Sequence, residues 1–428
     1  MSVVYHWTLA AANRQPDRIA IETPERSMTY AELSRAAIAR VGALGGSKRV
    51  AIALPPGEDF VIALHACLLA GAAAVPVDLR LSQSEQEQRR AGAELLIDTP
   101  LLGSPGLVGQ PAGIETSEEQ TRPVAVMHTS GTTAAPKPVV LTGGNFLASA
   151  LGSAVALGLD PDERWLCPMP LTHVGGLSIP IRSAIYATTA VLHGRFDTGA
   201  VLNELMDPRR RTTLVSLVPT MLARLLDAGL EDPPTLRWAL LGGGPIAPAL
   251  LERAERAGVP VAPTYGMTEA CSQIATFGWP LPGVEVKVAD DGEVLVRGPI
   301  VSGGALSEDG WLHTSDEGRF DDRGRLEITG RKSDTIVSGG ENVAPTEVEA
   351  VLLEHPAVAD AAVHPRLDPE WGEAVVATVV LRDGLEVAPE DLRAHCATRL
   401  AGFKVPKTIA FAAELPRTQS GKLLRREL

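Results

Sequence analysis

Aromatic side chains are scarce in this sequence, at 4% of residues, so aliphatic side chains and alanine must build most of any core. Cysteine is scarce too. Cys67, Cys167, Cys271 and Cys396 lie far apart with no CxxC or His/Cys spacing, which argues against a zinc site and for reduced, buried thiols in a cytoplasmic protein. No apolar run approaches the ~20 residues that span a bilayer. Met1 to Leu9 lacks a basic region followed by a long apolar run, so neither a secretory signal nor a membrane partner is expected. Positive charge is in deficit: 39 Lys and Arg against 52 Asp and Glu leave a net charge of −13. A reader of nucleic acid carries a basic patch or stripe. The short run Arg209 to Arg211 reads instead as a solvated helix end or loop, and no nucleic-acid partner is expected. Internal repeats and low-complexity tracts are also missing.

What is present points to more than one domain, since 428 residues exceed the ~250–300 at which a single core stops growing. Thr29-Tyr30-Ala31-Glu32 fits a capping box that opens a helix. Arg49 to Leu54 then reads as a strand, Asp59 to Leu69 as a helix and Ala73 to Val77 as a strand. This βαβ grammar predicts a mostly parallel sheet with helices on both faces. Leu101 to Arg122, rich in Gly, Pro and polar residues, reads as a surface connection. Strands resume at Val124 to His128, Arg164 to Met169, Thr213 to Val218 and Trp238 to Leu241, each ending in a Gly-, Pro- or Thr-rich turn. Ligands of open α/β sheets sit beyond such strand ends.

After about Trp279 the texture changes. Val284 to Ala289 and Glu293 to Arg297 flank Asp290-Asp291-Gly292 as a hairpin, and Asp321 to Gly324 turns a second one. From about Lys332 a small unit follows, with Thr346-Glu347-Val348-Glu349 expected to cap its first helix and strands at Ala359 to Val363 and Val375 to Leu381. The predicted fold class is α/β: a large N-terminal domain (1–331) of mixed, mostly parallel sheets flanked by helices plus a β-rich subdomain, and a small mobile α+β C-terminal domain (332–428).

Four segments carry chemistry. In Thr129-Ser130-Gly131-Thr132-Thr133-Ala134-Ala135-Pro136-Lys137 a strand ends in small and hydroxyl residues closed by a lysine, so hydroxyls and bare backbone N–H groups can wrap an anion while Lys137 adds a point charge. It is not a Walker loop, because the GxxxxGK(S/T) spacing is absent. Thr264-Tyr265-Gly266-Met267-Thr268-Glu269 offers a ring that can stack on a purine, a hydroxyl for a phosphate and a carboxylate for Mg²⁺, a hard ion that prefers oxygen. Asp316 could accept from both hydroxyls of a ribose, and Arg331 could donate to the same sugar or to a phosphate. Lys422 follows Ser420-Gly421 in the tail. Each also has a plainer reading: a surface turn, an acid complementing a helix dipole, a surface Asp–Arg pair of little energetic worth, and a solvated terminal lysine.

Taken together, T-S-G-T-T-x-x-P-K, Y-G-x-T-E, W-x-x-T-x-D, G-R-x-x-D and P-x-T-x-x-G-K resemble the adenylate-forming superfamily of acyl- and aryl-CoA synthetases, peptide-synthetase adenylation domains and luciferases, over nearly the whole chain. The resemblance implies an ATP-dependent ligase that makes an acyl-adenylate and pyrophosphate, then a thioester and AMP. It implies Ser130 to Lys137, with Thr129 before them, as the phosphate loop, and Gly242, Gly243, Gly244, Pro245, Tyr265, Gly266 and Met267 around the nucleotide. It gives Thr268 a phosphate contact, Glu269 the Mg²⁺, and Asp316 and Arg331 the ribose. Lys422 would reach the reacting carboxylate and the α-phosphate, and Gly339 and Gly340 would line the path of the coenzyme A thiol. The implied partners are a carboxylic acid, ATP and CoA, with a homodimer left open. Departures from the family pattern are Ala134 and Pro138 for loop glycines, Ser315 for a glycine before the ribose aspartate, and Ser333 at the hinge where Asp or Lys is usual.

Trp165 to Leu177, Val191 to His193, Arg195-Phe196 and Cys271-Ser272-Gln273 are similar to o-succinylbenzoate–CoA ligases. That similarity implies His173, Gly175, Ser216 and Thr264 at the acid site, with His173 also among the catalytic residues. His173 reads equally as a pocket histidine that makes one hydrogen bond. Gly175 stands where a serine is common, and Arg80, just after a strand, is a candidate charge for the acid's second carboxylate. Other readings are a ligase for another aryl or acyl acid, a stand-alone adenylation enzyme that loads a carrier protein, and a nucleotide-binding scaffold that has lost catalysis.

Overall fold

The computed structural model describes residues 6–103, 120–129, 137–338, 341–369, 371–418 and 423–428. Local signals set many of its elements. Thr29 caps the helix Tyr30–Val41: its side chain accepts from the Glu32 N–H, while the Glu32 carboxylate accepts from the Thr29 N–H at 2.8 Å. The exchange satisfies two donors that a helix start leaves orphaned. Ser82 with Glu85 and Thr142 with Asn145 repeat it. The cap expected at Thr346 is not made. Pro345 opens the helix Pro345–Leu353, Ala344 takes the N-cap position, and the Thr346 hydroxyl donates to Thr329 O at 2.7 Å. A proline at the first helical position carries no N–H to satisfy and a φ already helical, so it decides where the helix starts.

The larger sheet runs in the order Trp279–Pro280, Ser272–Thr276, Val261–Met267, Trp238–Leu241, Leu214–Leu217, Arg164–Cys167, Thr189–Leu192, Ile19–Glu22, Ser27–Thr29. Its six central strands are parallel and its outer pairs antiparallel. A second sheet has the order Leu95–Ile97, Arg49–Ile52, Ala73–Pro76, Pro123–Thr129, Lys137–Thr142, parallel except for the last pair. Apolar residues on the two faces of the larger sheet feed two cores. One packs Trp165, Leu214 and Leu240 with the helices Tyr30–Val41, Glu58–Ala70 and Val174–Tyr186. The other packs Leu166, Val215 and Leu241 with Thr198–Met206, Pro219–Asp227 and Pro248–Arg256.

The change of texture after Trp279 becomes an antiparallel sheet, Glu285–Val288, Glu293–Arg297, Leu312–Phe320, Leu326–Arg331, with its own core around Ile274, Val294 and Leu312. Residues beyond it form a smaller α+β unit. Its sheet has the order Glu341–Val343, Ile336–Ser338, Gly372–Leu381, Val358–Asp368, with Thr408–Phe411 also on Gly372–Leu381. It buries Val348, Leu352, Val363, Val375, Leu392 and Cys396. Among the described residues no helix is long and apolar enough to cross a membrane. Because the central strands of the larger sheet are parallel, the turns after Cys167, Leu217, Leu241 and Met267 share one sheet edge, and the candidate site lies there.

Candidate active site

Three of these turns carry predicted residues, and glycine geometry sorts what each does. A Cβ on Gly242 would lie 2.9 Å from Thr264 O, so this glycine lets two strand ends approach. Gly243 has φ +80°, which an L side chain resists. At Gly244 a Cβ would meet only Pro219 Cδ, at 4.0 Å, which leaves room above the turn before Pro245. The Thr264 hydroxyl is committed to Ala275 O at 2.9 Å. At Gly266 a Cβ would fall 1.7 Å from Ser272 O. The ladder shifts register there, between Tyr265 and Gly266, and the strand bends into Met267 and the turn Thr268–Ala270.

The bend presents Tyr265 to the neighbouring antiparallel sheet. Its hydroxyl donates to Asp316 Oδ2 at 2.8 Å, and Arg331 Nε lies 3.1 Å from Asp316 Oδ1. Asp316 and Arg331 are register partners across the hairpin. Burial and the Asp316 carboxylate push the Tyr265 phenol well above its ordinary range, so it stays a donor. Ser315, where the family has glycine, sits at φ +59°; the left-handed backbone explains the usual residue.

Glu269 is half-buried, and its carboxylate makes no hydrogen bond or ion pair to a described residue. Among the described residues no cluster of three or more His, Cys, Asp or Glu could hold a metal. Mg²⁺ at a nucleotide takes one or two carboxylates plus substrate phosphates, and the Glu269 carboxylate, with no partner among the described residues, fits that role.

Thr129 and Lys137 are register partners at the open end of an antiparallel pair. The predicted Ser130, Gly131, Thr132 and Thr133, with Ala134, lie outside the described residues. Pro138 stands in the edge strand of its sheet, the position that tolerates a residue without an N–H. Ser302, only 2% exposed, joins this pair to the Glu269 turn: its N–H donates to Glu269 O and its hydroxyl to Val140 O, each at 2.8 Å.

At the acid side, His173 is the N-cap residue of Val174–Tyr186, but its side chain does not cap the helix. It is open to solvent, yet its imidazole is held below the usual range, chiefly by desolvation, against the opposing pull of Asp78. Arg80 is not a spare charge: it grips Asp78 through Nε at 2.8 Å and Nη2 at 2.7 Å, a fork-to-fork pair that neutralises it. Ser216 is buried, and its Oγ accepts from Trp165 Nε1 at 2.9 Å. Gly175 faces Met169 Cε, 3.3 Å from where a Cβ would stand.

The sequence reading passed over Arg182. It is 1% exposed, the one buried Lys or Arg among the described residues. Its guanidinium lies over the Trp165 ring, 5.6 Å from the centroid, and Nη2 donates to Ser149 Oγ at 2.8 Å. The Ser149 hydroxyl donates in turn to Cys271 O at 2.7 Å. Among the described residues Nε has no hydrogen-bond partner and no carboxylate pairs with the guanidinium, and burial lowers its pKa. A single arginine inside the apolar stretch Leu177 to Ala184 was the available signal.

Lys422, Gly339 and Gly340 lie outside the described residues. Described residues on either side of Lys422 are held by ion pairs. Arg417 forms an isolated antiparallel bridge with Leu423 and pairs with Asp360 at 2.8 Å. Arg425 pairs with Glu349 at 2.7 Å and Asp334 at 3.0 Å.

The family described as AMP-binding enzyme matches residues 9–306, and the AMP-binding enzyme C-terminal domain matches residues 347–422. A 2-succinylbenzoate–CoA ligase of Bacillus cereus (strain ATCC 10987) is 38% identical over 479 aligned residues, covering 100% of this chain and 98% of the relative. The o-succinylbenzoate CoA synthetase (MenE) of Bacillus subtilis, in complex with the acyl-adenylate intermediate OSB-AMP, superposes with a TM-score of 0.87 at 36% identity, covering 99% of this chain and 97% of that one. Its complex with ATP and magnesium ion gives 0.86 at 35% identity, covering 99% of both chains. A double mutant of it with the product analogue OSB-NCoA gives 0.69 at 36% identity, covering 99% and 97%.

Proposed function

Because the chain belongs to the AMP-binding enzyme family, we propose that it is an ATP-dependent carboxylate–CoA ligase whose acid is o-succinylbenzoate, acting in menaquinone biosynthesis. Residues 1–331 are assigned to nucleotide and acid binding and 332–428 to a lid that carries Lys422. The reading rests above all on one arrangement: Tyr265, Asp316 and Arg331, from three strands, joined in one hydrogen-bonded cluster, with the strand of Tyr265 leading into Glu269, whose carboxylate has no partner among the described residues.

Bringing a carboxylate to the α-phosphate drives two anions together, so the catalytic task is electrostatic. Glu269, together with the phosphates, would hold Mg²⁺, which would supply positive charge at the departing pyrophosphate. Lys137 and the hydroxyls from Thr129 to Thr133 hold the triphosphate. Thr268 donates to a phosphate, the Gly242–Pro245 turn and Tyr265 flank the base, and Asp316 accepts from the ribose. Lys422 compensates charge that develops at the reacting oxygens, and no protein nucleophile is needed. In the second step the CoA thiol attacks the acyl carbon and AMP leaves, with Gly339 and Gly340 beside the thiol's path.

His173, Gly175, Ser216 and Thr264 are assigned to the acid pocket. The second carboxylate of the acid is assigned to Arg182 rather than Arg80, because Arg182 is buried with no anionic partner among the described residues whereas Arg80 already has one. Four buried, free cysteines suit a reducing cytoplasm, and homodimerisation is testable by light scattering.

The deciding experiment offers o-succinylbenzoate, ATP, Mg²⁺ and CoA and follows coupled release of pyrophosphate and AMP. Robust turnover of a benzoate or fatty acid with none of o-succinylbenzoate overturns the acid. A holo-carrier protein serving better than CoA overturns the thiol.

A further inference from the structure

The residues Asp316 and Arg331 leave unexplained a second ion pair one step along the chain. Glu293, the first residue of Glu293–Arg297, is 8% exposed. Its Oε1 accepts from the Ser315 N–H at 2.8 Å, and its Oε2 accepts from Lys332 Nζ at 3.0 Å and faces His313 Nδ1 at 3.3 Å. Lys332 also reaches Asp291 Oδ2 at 2.6 Å. Arg331 and Lys332, adjacent in the chain, thus pair with Asp316 and Glu293 respectively, at the point where the β-rich sheet hands over to the C-terminal unit.

We infer that Glu293 is a positioning residue that ties the ribose-side aspartate to the seat of the lid. The inference rests on the ligase reading above. Ser315 is held at φ +59°, a conformation that persists only where its surroundings enforce it. The bond from its N–H to Glu293 is such an enforcement, and the next residue is Asp316. The other oxygen of the same carboxylate holds the first residue of the lid. One carboxylate therefore reports on both places. With Lys332 docked, Glu293 has its cation and Ser315 its acceptor. If Lys332 swings away, a mostly buried carboxylate loses that counter-charge.

Linkage makes such coupling reciprocal: a nucleotide that needs Asp316 in place favours the lid arrangement that keeps Lys332 docked, and the docked lid favours the nucleotide. This chain superposes with a TM-score of 0.87 on the Bacillus subtilis relative's adenylate complex and 0.69 on its double mutant's product-analogue complex.

The test separates the half-reactions. Adenylation is read as acid-dependent ATP–pyrophosphate exchange, and the second step as thioester formation from presynthesised acyl-adenylate and CoA. Glu293→Gln keeps an acceptor for the Ser315 N–H but loses the charge that holds Lys332. It is expected to lower exchange about tenfold, within the 5–150-fold span of such couplings, with thioester formation within about twofold of wild type. Lys332→Met is expected to match it and to leave the ATP KM unchanged. Glu293→Ala is expected to raise the ATP KM about tenfold as well. Equal loss in both half-reactions, or wild-type exchange in all three variants, overturns the inference.

A second measurement guards against misfolding and against a wrong acid. Dyes on Glu231→Cys and Asp383→Cys, both exposed, report the distance between the two domains by energy transfer, since the native thiols are buried. ATP with Mg²⁺ is expected to narrow the distance distribution in the otherwise wild-type protein but not in the Glu293→Gln background. An identical response in both overturns the coupling, whether or not o-succinylbenzoate turns over. Failure of every acid with an intact nucleotide response overturns the ligase reading and leaves the coupling standing.

Discussion

Replacing Arg182 with methionine should make the protein more stable and worse at binding its acid. Arg182 is wholly buried, with one hydroxyl partner at 2.8 Å, an unpartnered Nε and the Trp165 ring for company. Removing an ion from water costs several kcal/mol even after relaxation. Against this stand a hydrogen bond to a neutral hydroxyl, ~1 kcal/mol, and a desolvated cation–π contact, ~2 kcal/mol. The charge is therefore under-compensated in the free protein. Methionine keeps much of the volume, and the Ser149 hydroxyl still donates to Cys271 O, so no polar group is stranded. Replacing buried charge by apolar groups of similar volume has stabilised other proteins by ~1–4 kcal/mol, and a gain of roughly 1–3 kcal/mol is expected here, read as a rise in Tm of several degrees. A lost charge-assisted hydrogen bond to the distant carboxylate is worth ~1.5–3 kcal/mol, so the KM for the acid should rise about 10- to 150-fold while the ATP KM stays within about twofold. A variant that melts lower and keeps the acid KM would refute the reasoning, because Arg182 would then be a structural residue with its partners already sufficient.

Lys422→Ala should lower adenylation by about 10²–10³-fold, the scale of losing one preorganised charge-stabilising donor, yet largely spare thioester formation from presynthesised acyl-adenylate; equal loss of both steps would give this lysine another role. Ser315→Gly removes a left-handed penalty of roughly 1–2 kcal/mol and adds ~0.5–1 kcal/mol of unfolded-chain freedom, so Tm should rise slightly; a clear fall would mean the serine side chain contributes more than its strain costs. Acid should destabilise the protein through His65, whose imidazole is buried against the Thr8 hydroxyl at 2.7 Å and pushed down to about 4. Between its unfolded pKa near 6.5 and that value the unfolded chain binds the extra proton, so stability is intact above pH 6.5 and falls as pH drops through the window, by roughly 2–3 kcal/mol at pH 4.5. Denaturant melts of wild type and His65→Gln at pH 7 and 4.5 check this, and parallel pH slopes would count against it.

Much of the architecture was readable because it is local. The Thr29–Glu32 box and the Asp290-Asp291-Gly292 turn need only a few neighbouring residues, and both form as read. The meeting of Asp316 with Arg331 follows from a hairpin turned at Asp321 to Gly324, because the two residues are nearly equidistant from that turn. Thr346 was misread for an equally local reason: Pro345 beside it outranks a threonine in deciding where the helix begins. Arg182, Ser302 and Glu293 were invisible because their meaning lies in partners tens to more than a hundred residues away. Pattern reading also expects charge on the outside, so a cation sealed in the core runs against its default. Arg80 shows the converse: its position after a strand suggested a free charge, and only three-dimensional geometry reveals the acid two residues earlier that consumes it.

The twofold grip of Ser302 has a consequence for how variants will behave. The sheet edge that leads to the proposed phosphate loop and the bend that carries Glu269, the proposed metal carboxylate, are not independently suspended; a single buried side chain and its own backbone hang them from one peg. Damage to the stretch Gly298 to Gly304, remote in sequence from either, should therefore slacken both together, so that losses in magnesium and triphosphate affinity travel as a pair rather than one at a time.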